Sequence, residues 1–536
     1  MAKIYQSIIG LEVHVELGTA SKMFCGCKND PFGAKQPNIY TCPVCLGMPG
    51  ALPVPNKKAI EWTIMLGQVL GCEILEFSKF DRKNYFYPDL PKGYQISQYD
   101  LPFCKNGALA IKVGGQKKIV RIRRVHLEED TGKLMHAIVN GEAFDRAQPR
   151  PEHQSRDEKT TLIDFNRSGV PLMEIVTEPD IHSGEEAKAF LRELQLIVRY
   201  LGISDADLEK GSMRLEPNIS VRAVEPAELN NLIQDKDLPP YKVEVKNINS
   251  FRFVAGAIDY ETKRHIVLLK KGEIPAQETR GWNPSKSETF IQRRKETADD
   301  YRYFPEPDIP PIVINKEQAD LPAQAGGNSI FTEELKSRIS ELPQERRLRF
   351  QSQYFLNEAE AEVLVQGKKM GEYFEQVISE LEGFDAEHLQ AQTHSEQEMA
   401  RLIYNFLTSD LKGLLAEQAL ELDSSGISPE HFAHLILMFH QGKISSRTAK
   451  EVLREMLSTK RDPEEIVVEQ GLEQVSDSGE LEKIIAEVIS SSPLVVADYR
   501  KGKTNALQFL VGQVMAKTKG AANPQLVREL LVKELI

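Results

Sequence analysis

From Ile8 to Leu17 apolar and ionisable side chains take turns along Ile8-Ile9-Gly10-Leu11-Glu12-Val13-His14-Val15-Glu16-Leu17. That is the period of a strand with one face buried, and it puts Glu12, His14 and Glu16 together on the other face. Short runs of the same period, such as Lys242-Val243-Glu244-Val245 and Ile219-Ser220-Val221-Arg222, recur between Gly- and Pro-bearing turns up to about residue 310. The periodic stretch 184–201 is the clear helical exception. Residues 139–161, polar and charged with scattered Pro, read as an inserted surface loop. After Asp308-Ile309-Pro310-Pro311 the period changes: the segments 331–339, 358–366, 371–381 and 396–407 space their apolar residues three and four apart, which predicts amphipathic helices. From about residue 410 further helices are expected, punctuated by Gly426, Gly442, Gly471, Gly502 and Gly520. The pattern predicts an α+β protein in three parts: a strand-rich domain over 1–310, a helical domain over 311–408 and a helical tail over 409–536.

Size agrees with this division, since 536 residues exceed what one core supports and call for about two to four domains. No stretch approaches the roughly eighteen uninterrupted apolar residues of a membrane span. The first residues also lack the charged-then-apolar pattern of a secretory signal, so a cytoplasmic protein with no membrane partner is expected. The formal net charge of -12 argues against a chain that coats nucleic acid indiscriminately, so any RNA contact must be local.

Six cysteines in so long a chain are too few for a disulfide scaffold. Four of them form two tight pairs, Cys25-Gly26-Cys27 and, fourteen residues on, Cys42-Pro43-Val44-Cys45. Two such pairs on neighbouring turns can converge on a tetrahedral thiolate site for zinc, and four protein ligands leave no open position, so the zinc would be structural. The competing reading, thiols buried for packing, explains Cys72 and Cys104 better than it explains pairs flanked by Gly and Pro.

On the strand face, two carboxylates flanking an imidazole can hold a divalent cation; a merely solvated polar face is the alternative. More carboxylates follow in His126-Leu127-Glu128-Glu129-Asp130 and in Leu172-Met173-Glu174-Ile175-Val176, where Glu174 stands amid apolar residues. With Glu12 and His14 they make an acidic set of the kind that binds magnesium and, through it, nucleotide phosphates. A Walker-type loop is absent from the sequence, so ATP would be held by metal-bound carboxylates and scattered arginines. Residues 80–89 and 299–305 mix basic and aromatic side chains, which suits a single-stranded RNA end; rings that merely pin loops to a core are the competing reading. Between Tyr499 and Arg528 the chain carries Arg500, Lys501, Lys503, Lys517, Lys519 and Arg528 with no Asp or Glu. This is a phosphate-binding patch or a solvated helical face.

Taken together, the motifs resemble one family, the B subunits of the tRNA-dependent amidotransferases (GatB). The resemblance rests on Ile9-Gly10-Leu11-Glu12-Val13-His14, Cys42-Pro43-Val44-Cys45-Leu46-Gly47-Met48-Pro49-Gly50, residues 80–90, Leu127-Glu128-Glu129-Asp130-Thr131-Gly132-Lys133 and Asn166-Arg167-Ser168-Gly169-Val170-Pro171-Leu172-Met173-Glu174-Ile175. It continues through Glu244-Val245-Lys246-Asn247-Ile248-Asn249-Ser250-Phe251, Tyr301-Arg302-Tyr303-Phe304-Pro305-Glu306-Pro307-Asp308, Gly512-Gln513-Val514-Met515, Thr518-Lys519-Gly520 and Asn523-Pro524. The resemblance implies an antiparallel-sheet cradle with a zinc-bearing insertion, a helical domain and a mobile tail that grips tRNA. It also implies the reaction: glutamate misattached to glutamine tRNA, or aspartate misattached to asparagine tRNA, is activated by ATP as an acyl phosphate and amidated by ammonia. Glu12, His14, Glu128 and Glu174 are then the expected magnesium ligands, with Glu129 and Asp130 weaker because successive strand residues face opposite sides. Lys83 is expected where ammonia enters, by likeness to the family's channel gate. Arg280 and Arg302 are assigned to phosphate or the tRNA end from charge alone.

One departure stands at Arg214-Leu215-Glu216-Pro217, where the family pattern leads one to expect an Arg-Cys-Asp or similar string; whether Glu216 takes an acidic role is left open by the sequence. No Gly- and Ser-rich segment offers the paired serines and lysine of an amidase. Ammonia therefore has to come from elsewhere, and the resemblance implies a separate amidase subunit and a small linking subunit in a heterotrimer. A non-catalytic, zinc-bearing tRNA-binding scaffold is the rival reading. The archaeal relative that works with an asparaginase-like partner ranks third, because the loop at 139–161 is too small for its inserted domain.

Overall fold

The computed structural model describes residues 4–136, 161–226, 233–294, 301–315, 330–384, 393–472, 478–500, 502–503, 505–518, 522 and 524–535. Apart from Thr161, the expected loop at 139–161 lies outside the described residues. The chain divides into two compact units, Met1–Leu342 and Pro343–Ile536.

The first unit is built on a nine-stranded sheet. Its strands are β1 Ile4–Glu16, β2 Glu73–Ile74, β3 Cys104–Val113, β4 Gln116–Glu129, β5 Pro171–Thr177, β6 Met213–Val224, β7 Val243–Lys246, β8 Glu278–Asn283 and β9 Glu288–Arg294. They lie in the order β9-β8-β7-β6-β1-β5-β4-β3-β2. Neighbours run antiparallel except β7 and β8, which are parallel. Three helices, α1 Lys57–Val69, α2 Gly184–Tyr200 and α3 Phe251–Lys270, start where Asn56, Ser183 and Ser250 offer a side-chain oxygen to the first free N–H groups.

The alternation in β1 decides what the sheet shows to each side. Leu11, Val13 and Val15 join Val125, Leu127, Met173, Ile175 and Leu215 in one buried cluster with Ile64 of α1, Leu194 of α2 and Ile258 of α3. Each fully buried leucine there is worth about 2–5 kcal/mol against truncation to Ala. The opposite face carries the ionisable partners of those residues, which is how a strand of one period supplies both a core and a site.

Besides the antiparallel pair of Lys133–His136 with Thr161–Asp164, two three-stranded sheets complete the described part of this unit. Asp81–Asn84 pairs with Tyr94–Ser97 and Phe304–Pro305, and Ile312–Asn315 pairs with Phe77–Ser78 and Ile330–Phe331. The second of these carries the unit past the boundary expected near 310. Ile312, Val313 and Ile314 favour the extended chain over a helix, and Ile314 and Leu335 are buried in the same core as β1. The helix that follows is Thr332–Ser337, shorter than the expected 331–339.

The second unit is helical. The expected helix at 358–366 is present as Glu358–Gln366, opened by a reciprocal capping box between Asn357 and Glu360. The segment 371–381 falls inside Lys368–Phe384. Residues 396–407 fall in Thr393–Asn405 and the start of a π-helical turn, Phe406–Leu411. Helices Ser478–Ser491, Pro493–Arg500, Asn505–Lys517 and Pro524–Leu535 share a core of their own, which includes Leu481, Ile485, Leu510, Val514 and Leu531. Among the described residues no helix is long and apolar enough to cross a membrane.

Candidate active site

Strand register assembles the acidic residues. His14 of β1 pairs across to Glu174 of β5, and Glu174 pairs on to His126 of β4. One row along, Glu12 stands opposite Glu216 of β6, while Asn218 stands opposite Glu244 of β7. Side chains directly opposite in antiparallel strands share a face. Two clusters result, His14 with Glu128 and Glu174, and Glu12 with Glu216 and Glu244, in each of which the donor atoms lie within 4.8 Å of one another. Glu12 and His14 are two residues apart on one strand, so the clusters are separated by about 7 Å.

The first cluster is a charge sandwich. His14 Nε2 lies 3.6 Å from Glu128 Oε1 and 3.6 Å from Glu174 Oε2, and His126 Nε2 lies 3.1 Å from the same Glu174 oxygen. Burial works against charge on His14, yet Glu174 overrides it and, with Glu216 and Glu128, raises the imidazole to about 9. Burial also opposes the Glu174 carboxylate, but His126 and His14 hold it well below the usual range. Glu128 accepts from Ser97 Oγ at 3.2 Å.

The second cluster is short of positive charge. Burial, then Glu174, Glu216 and Glu244, push Glu12 above its ordinary value. Lys246 meets Glu216 at 2.9 Å and Glu244 at 3.3 Å, and Asn218 Nδ2 donates to Glu12 Oε1 at 2.9 Å. Oxygen-rich, mutually repelling carboxylates beside a protonated imidazole fit a hard divalent cation, which would take over the proton's role. Among the described residues the buried Nδ1 atoms of His14 and His126 have no hydrogen-bond partner. Beside Glu12 the same face opens into a cleft of about 360 Å³, lined in part by Gly10, Val176, Thr177, Asn218, Ser220 and Tyr241.

Lys83, in the strand Asp81–Asn84, reaches toward the first cluster from the small sheet. Its ammonium lies 5.1 Å from the Tyr301 ring centroid and 6.0 Å from that of Tyr85. Burial disfavours its charge, but Glu128, Tyr303 and Glu174 more than compensate and raise it. Tyr303 stacks on Tyr99 at 4.3 Å, and burial, followed by the nearby Glu128 and Glu174, pushes its phenol up to about 12.

Other expected site residues lie elsewhere. Glu129 points to the opposite side from Glu128, where it pairs with Lys92 and accepts from the Ile96 amide at 2.9 Å. Asp130 and Glu16 share Arg214, and Arg167 lies 3.6 Å from Asp130. Against burial, the two arginines hold Asp130 low, while burial and Asp130 push Glu16 up. Arg280 is buried among Glu278, Glu261 and Thr289, away from any open surface. Arg302 is exposed, with positive φ of 45°, and its carbonyl accepts from Asn84. In the tail, Lys503 pairs with Asp498 at 3.1 Å and Lys517 with Glu487 at 2.6 Å, while Arg500 Nε donates to the Leu535 carbonyl. Lys501 and Lys519 lie outside the described residues.

Sequence reasoning passed over His126, Glu244, Lys246 and Asn218. His126 had a signal, since it precedes Glu128 by two and so shares its face. Glu244 and Lys246 carried the same alternation, but nothing local pairs their strand with β6.

The four cysteines do meet: their Sγ atoms lie within 4.8 Å of one another, against about 3.8 Å between sulfurs in a tetrahedral zinc site with bonds near 2.3 Å. The turn Cys42–Met48 folds back through Leu46 N to Cys42 O (3.0 Å) and Met48 N to Pro43 O (2.9 Å), and Gly47 sits at φ 65°, where a side chain is strained. The Cys42 amide donates to Cys45 Sγ at 3.1 Å. Hydrogen bonding from Cys25, opposed by burial and aided by the Cys42 amide and Lys22, draws Cys45 down to about 5.

Residues 7–320 match the family described as the GatB/GatE catalytic domain, and residues 388–535 match the GatB domain. A protein of Thermomicrobium roseum, named as the B subunit of an aspartyl/glutamyl-tRNA(Asn/Gln) amidotransferase, is 45% identical over 531 residues, 99% of each chain. Proteins of the same name from Caldanaerobacter subterraneus and Dehalococcoides mccartyi are 44% and 42% identical, again over 99% of each chain. Since one match spans residues 7–320 of 536 and the relatives align end to end, the chain belongs to the GatB family of amidotransferase B subunits.

Proposed function

We propose that this chain is the subunit that activates and amidates the side-chain carboxylate of misacylated Glu-tRNA(Gln), Asp-tRNA(Asn) or both, using ATP and ammonia. The observation that carries the reading is the pair of clusters on the sheet's open face, His14/Glu128/Glu174 beside Glu12/Glu216/Glu244. A carboxylate is a poor electrophile because its leaving group would be oxide; phosphorylation supplies a leaving group, and transfer between two anions needs cations and positioning above all. Glu12, His14, Glu128 and Glu174, joined by Glu216 and Glu244, would hold magnesium, which when bound neutralises charge between phosphate and carboxylate.

The chain's own groups supply the rest. The cleft beside Glu12 has the size and mixed apolar and amide lining for the nucleoside of ATP. Lys246 balances Glu216 and Glu244 when no other cation does. Lys83, set among the rings of Tyr85 and Tyr301 and acted on by Glu128 and Glu174, is assigned to the place where ammonia enters. Arg302, exposed, and the basic residues Arg500, Lys501, Lys503, Lys517 and Lys519 are assigned to the acceptor end and body of tRNA. Cys25, Cys27, Cys42 and Cys45 would hold a structural zinc. The partners are an amidase subunit and a small linking subunit, in a cytoplasmic heterotrimer.

The test is conversion of glutamyl-tRNA to glutaminyl-tRNA by the assembled complex with ATP, magnesium and ammonium in place of glutamine, for wild type and Glu12→Gln. Ammonium bypasses the amidase. Product from wild type and none from the variant is expected; equal product from both would move the chemistry to a partner and leave this chain the zinc-bearing scaffold.

A further inference from the structure

Behind the four cysteines lies a fully buried ammonium. Lys22 is 0% exposed. Its Nζ donates to the Tyr40 carbonyl at 2.6 Å and the Phe165 carbonyl at 3.3 Å, and its third neighbour is Cys45 Sγ at 3.9 Å. Among the described residues it has no carboxylate partner. Taking an ammonium out of water costs several kcal/mol unless a counter-charge comes with it. Two carbonyls solvate the group without neutralising it, and a neutral thiol is a weak acceptor. The one neighbour able to carry the missing negative charge is the sulfur of Cys45, as a thiolate.

The cysteines have the complementary problem. Four thiolates around a divalent zinc leave two net negative charges at a partly buried site, and a single nearby cation halves that excess. We infer that Lys22 is a built-in part of the metal centre, the outer-sphere cation that hydrogen-bonds to metal-bound Cys45. This rests on the tetrathiolate reading of the cysteines and goes beyond it.

Position gives Lys22 a second consequence. Tyr40 belongs to the segment between the two cysteine pairs, and Phe165 opens the loop that leads into β5. Ser168 Oγ of that loop donates to the Cys45 carbonyl at 3.0 Å, Met23 N donates to the Gly169 carbonyl at 2.7 Å, and Gly169 N to the Asp130 carbonyl at 2.9 Å. Lys22 is therefore a positioning residue. Together with Ser168, it ties the metal loop to the segment preceding Glu174, so metal loading and the placement of that strand share these contacts.

The experiment compares the full-length chain with Lys22→Met, Lys22→Gln and Lys22→Arg. Zinc per chain is measured, then zinc transfer to a competing chelator, then the thiolate-to-metal charge-transfer bands of the cobalt-loaded proteins. Lys22→Met should lose zinc about 10–100-fold more readily, Lys22→Arg should stay near wild type, and the cobalt bands should shift in the neutral variants only. Should Lys22→Met fail to fold, Lys22→Gln, which keeps donors for both carbonyls without the charge, carries the comparison. Wild-type zinc retention and unshifted bands in the neutral variants overturn the inference, as does a loss in Lys22→Arg equal to that in Lys22→Gln. A wild-type chain that holds no zinc would overturn the tetrathiolate reading instead.

Discussion

Charge alone assigns Arg280 to phosphate; its real setting makes a stability prediction instead. Glu261 of α3 is 0% exposed and receives Arg264 Nη2 at 2.7 Å, His265 Nε2 at 3.1 Å, Arg280 Nε at 3.1 Å and the Thr289 hydroxyl. Burial raises its carboxyl, but hydrogen bonds from His265, Arg264 and Thr289, with the Arg264 charge, win and lower it from 4.5 to about 2. A depressed carboxylate contributes stability that is complete above its unfolded value and is lost as pH falls through its folded one. The window here runs from about 4.5 down to about 2, and at roughly 1.4 kcal/mol per pKa unit the contribution is about 3 kcal/mol. Glu261→Gln keeps the shape and strands two guanidinium groups, which for a buried pair costs about 3–5 kcal/mol. Glu278, 2.7 Å from Arg280, keeps the value near the lower end. Both tryptophans of the chain, Trp62 and Trp282, lie in the first unit, so urea unfolding followed by tryptophan fluorescence reports that unit alone. The variant should unfold at lower urea with an unchanged slope and should lose the acid-side dependence between about pH 4.5 and 2. A loss below about 1 kcal/mol, or an acid limb identical to wild type, would refute the argument.

Three further outcomes follow from the site. Glu174→Gln removes the charge that both His14 and His126 face and should lower ammonium-dependent amidation by about 10²-fold or more in the protein that folds; an active variant would count against the cluster. Cys42→Ser should reduce zinc content and folded yield while the surviving protein stays active, and wild-type yield and zinc in that variant would reject the metal site. Lys503→Ala with Lys517→Ala should weaken tRNA binding and make its salt dependence shallower by about one unit per lost phosphate contact; because Asp498 and Glu487 already engage these lysines, unchanged affinity would reassign them to tail stability.

What the sequence disclosed was whatever has a period. The alternation from Ile8 to Leu17 announced both a core face and a polar face, and β1 has them: Val13 and Val15 are fully buried and Glu12 and His14 look the other way, into the two clusters. The two cysteine pairs were legible for the same reason, since their spacing is itself the geometry. Charge without periodicity was a poor guide. Arg280 and Arg302 were equivalent as letters, yet one is buried between Thr289 of β9 and Glu261 of α3 and the other is exposed in a stretch of irregular chain, because Glu261, nineteen positions before Arg280, supplies a partner that no local pattern reveals.

The same contrast explains why the acidic site came out half-formed from sequence. Glu12, His14, Glu128 and Glu174 each stand in a strand whose own alternation advertises them, but whether they meet depends on register, and a slip of one residue would turn each strand's set to the core side. The pairings His14 with Glu174 and Glu174 with His126 are set by Leu11, Val13, Met173, Ile175 and Leu127 finding one apolar layer on the other face. The core thus selects the register, and the register builds the site. Glu244 and Lys246 are the extreme case: β7 joins β6 through only two aligned pairs, Asn218 with Glu244 and Ile219 with Val243, and its other neighbour is the parallel strand β8. A four-residue strand held on both sides by distant partners has no local signature, so the second cluster exists only as a property of the folded sheet.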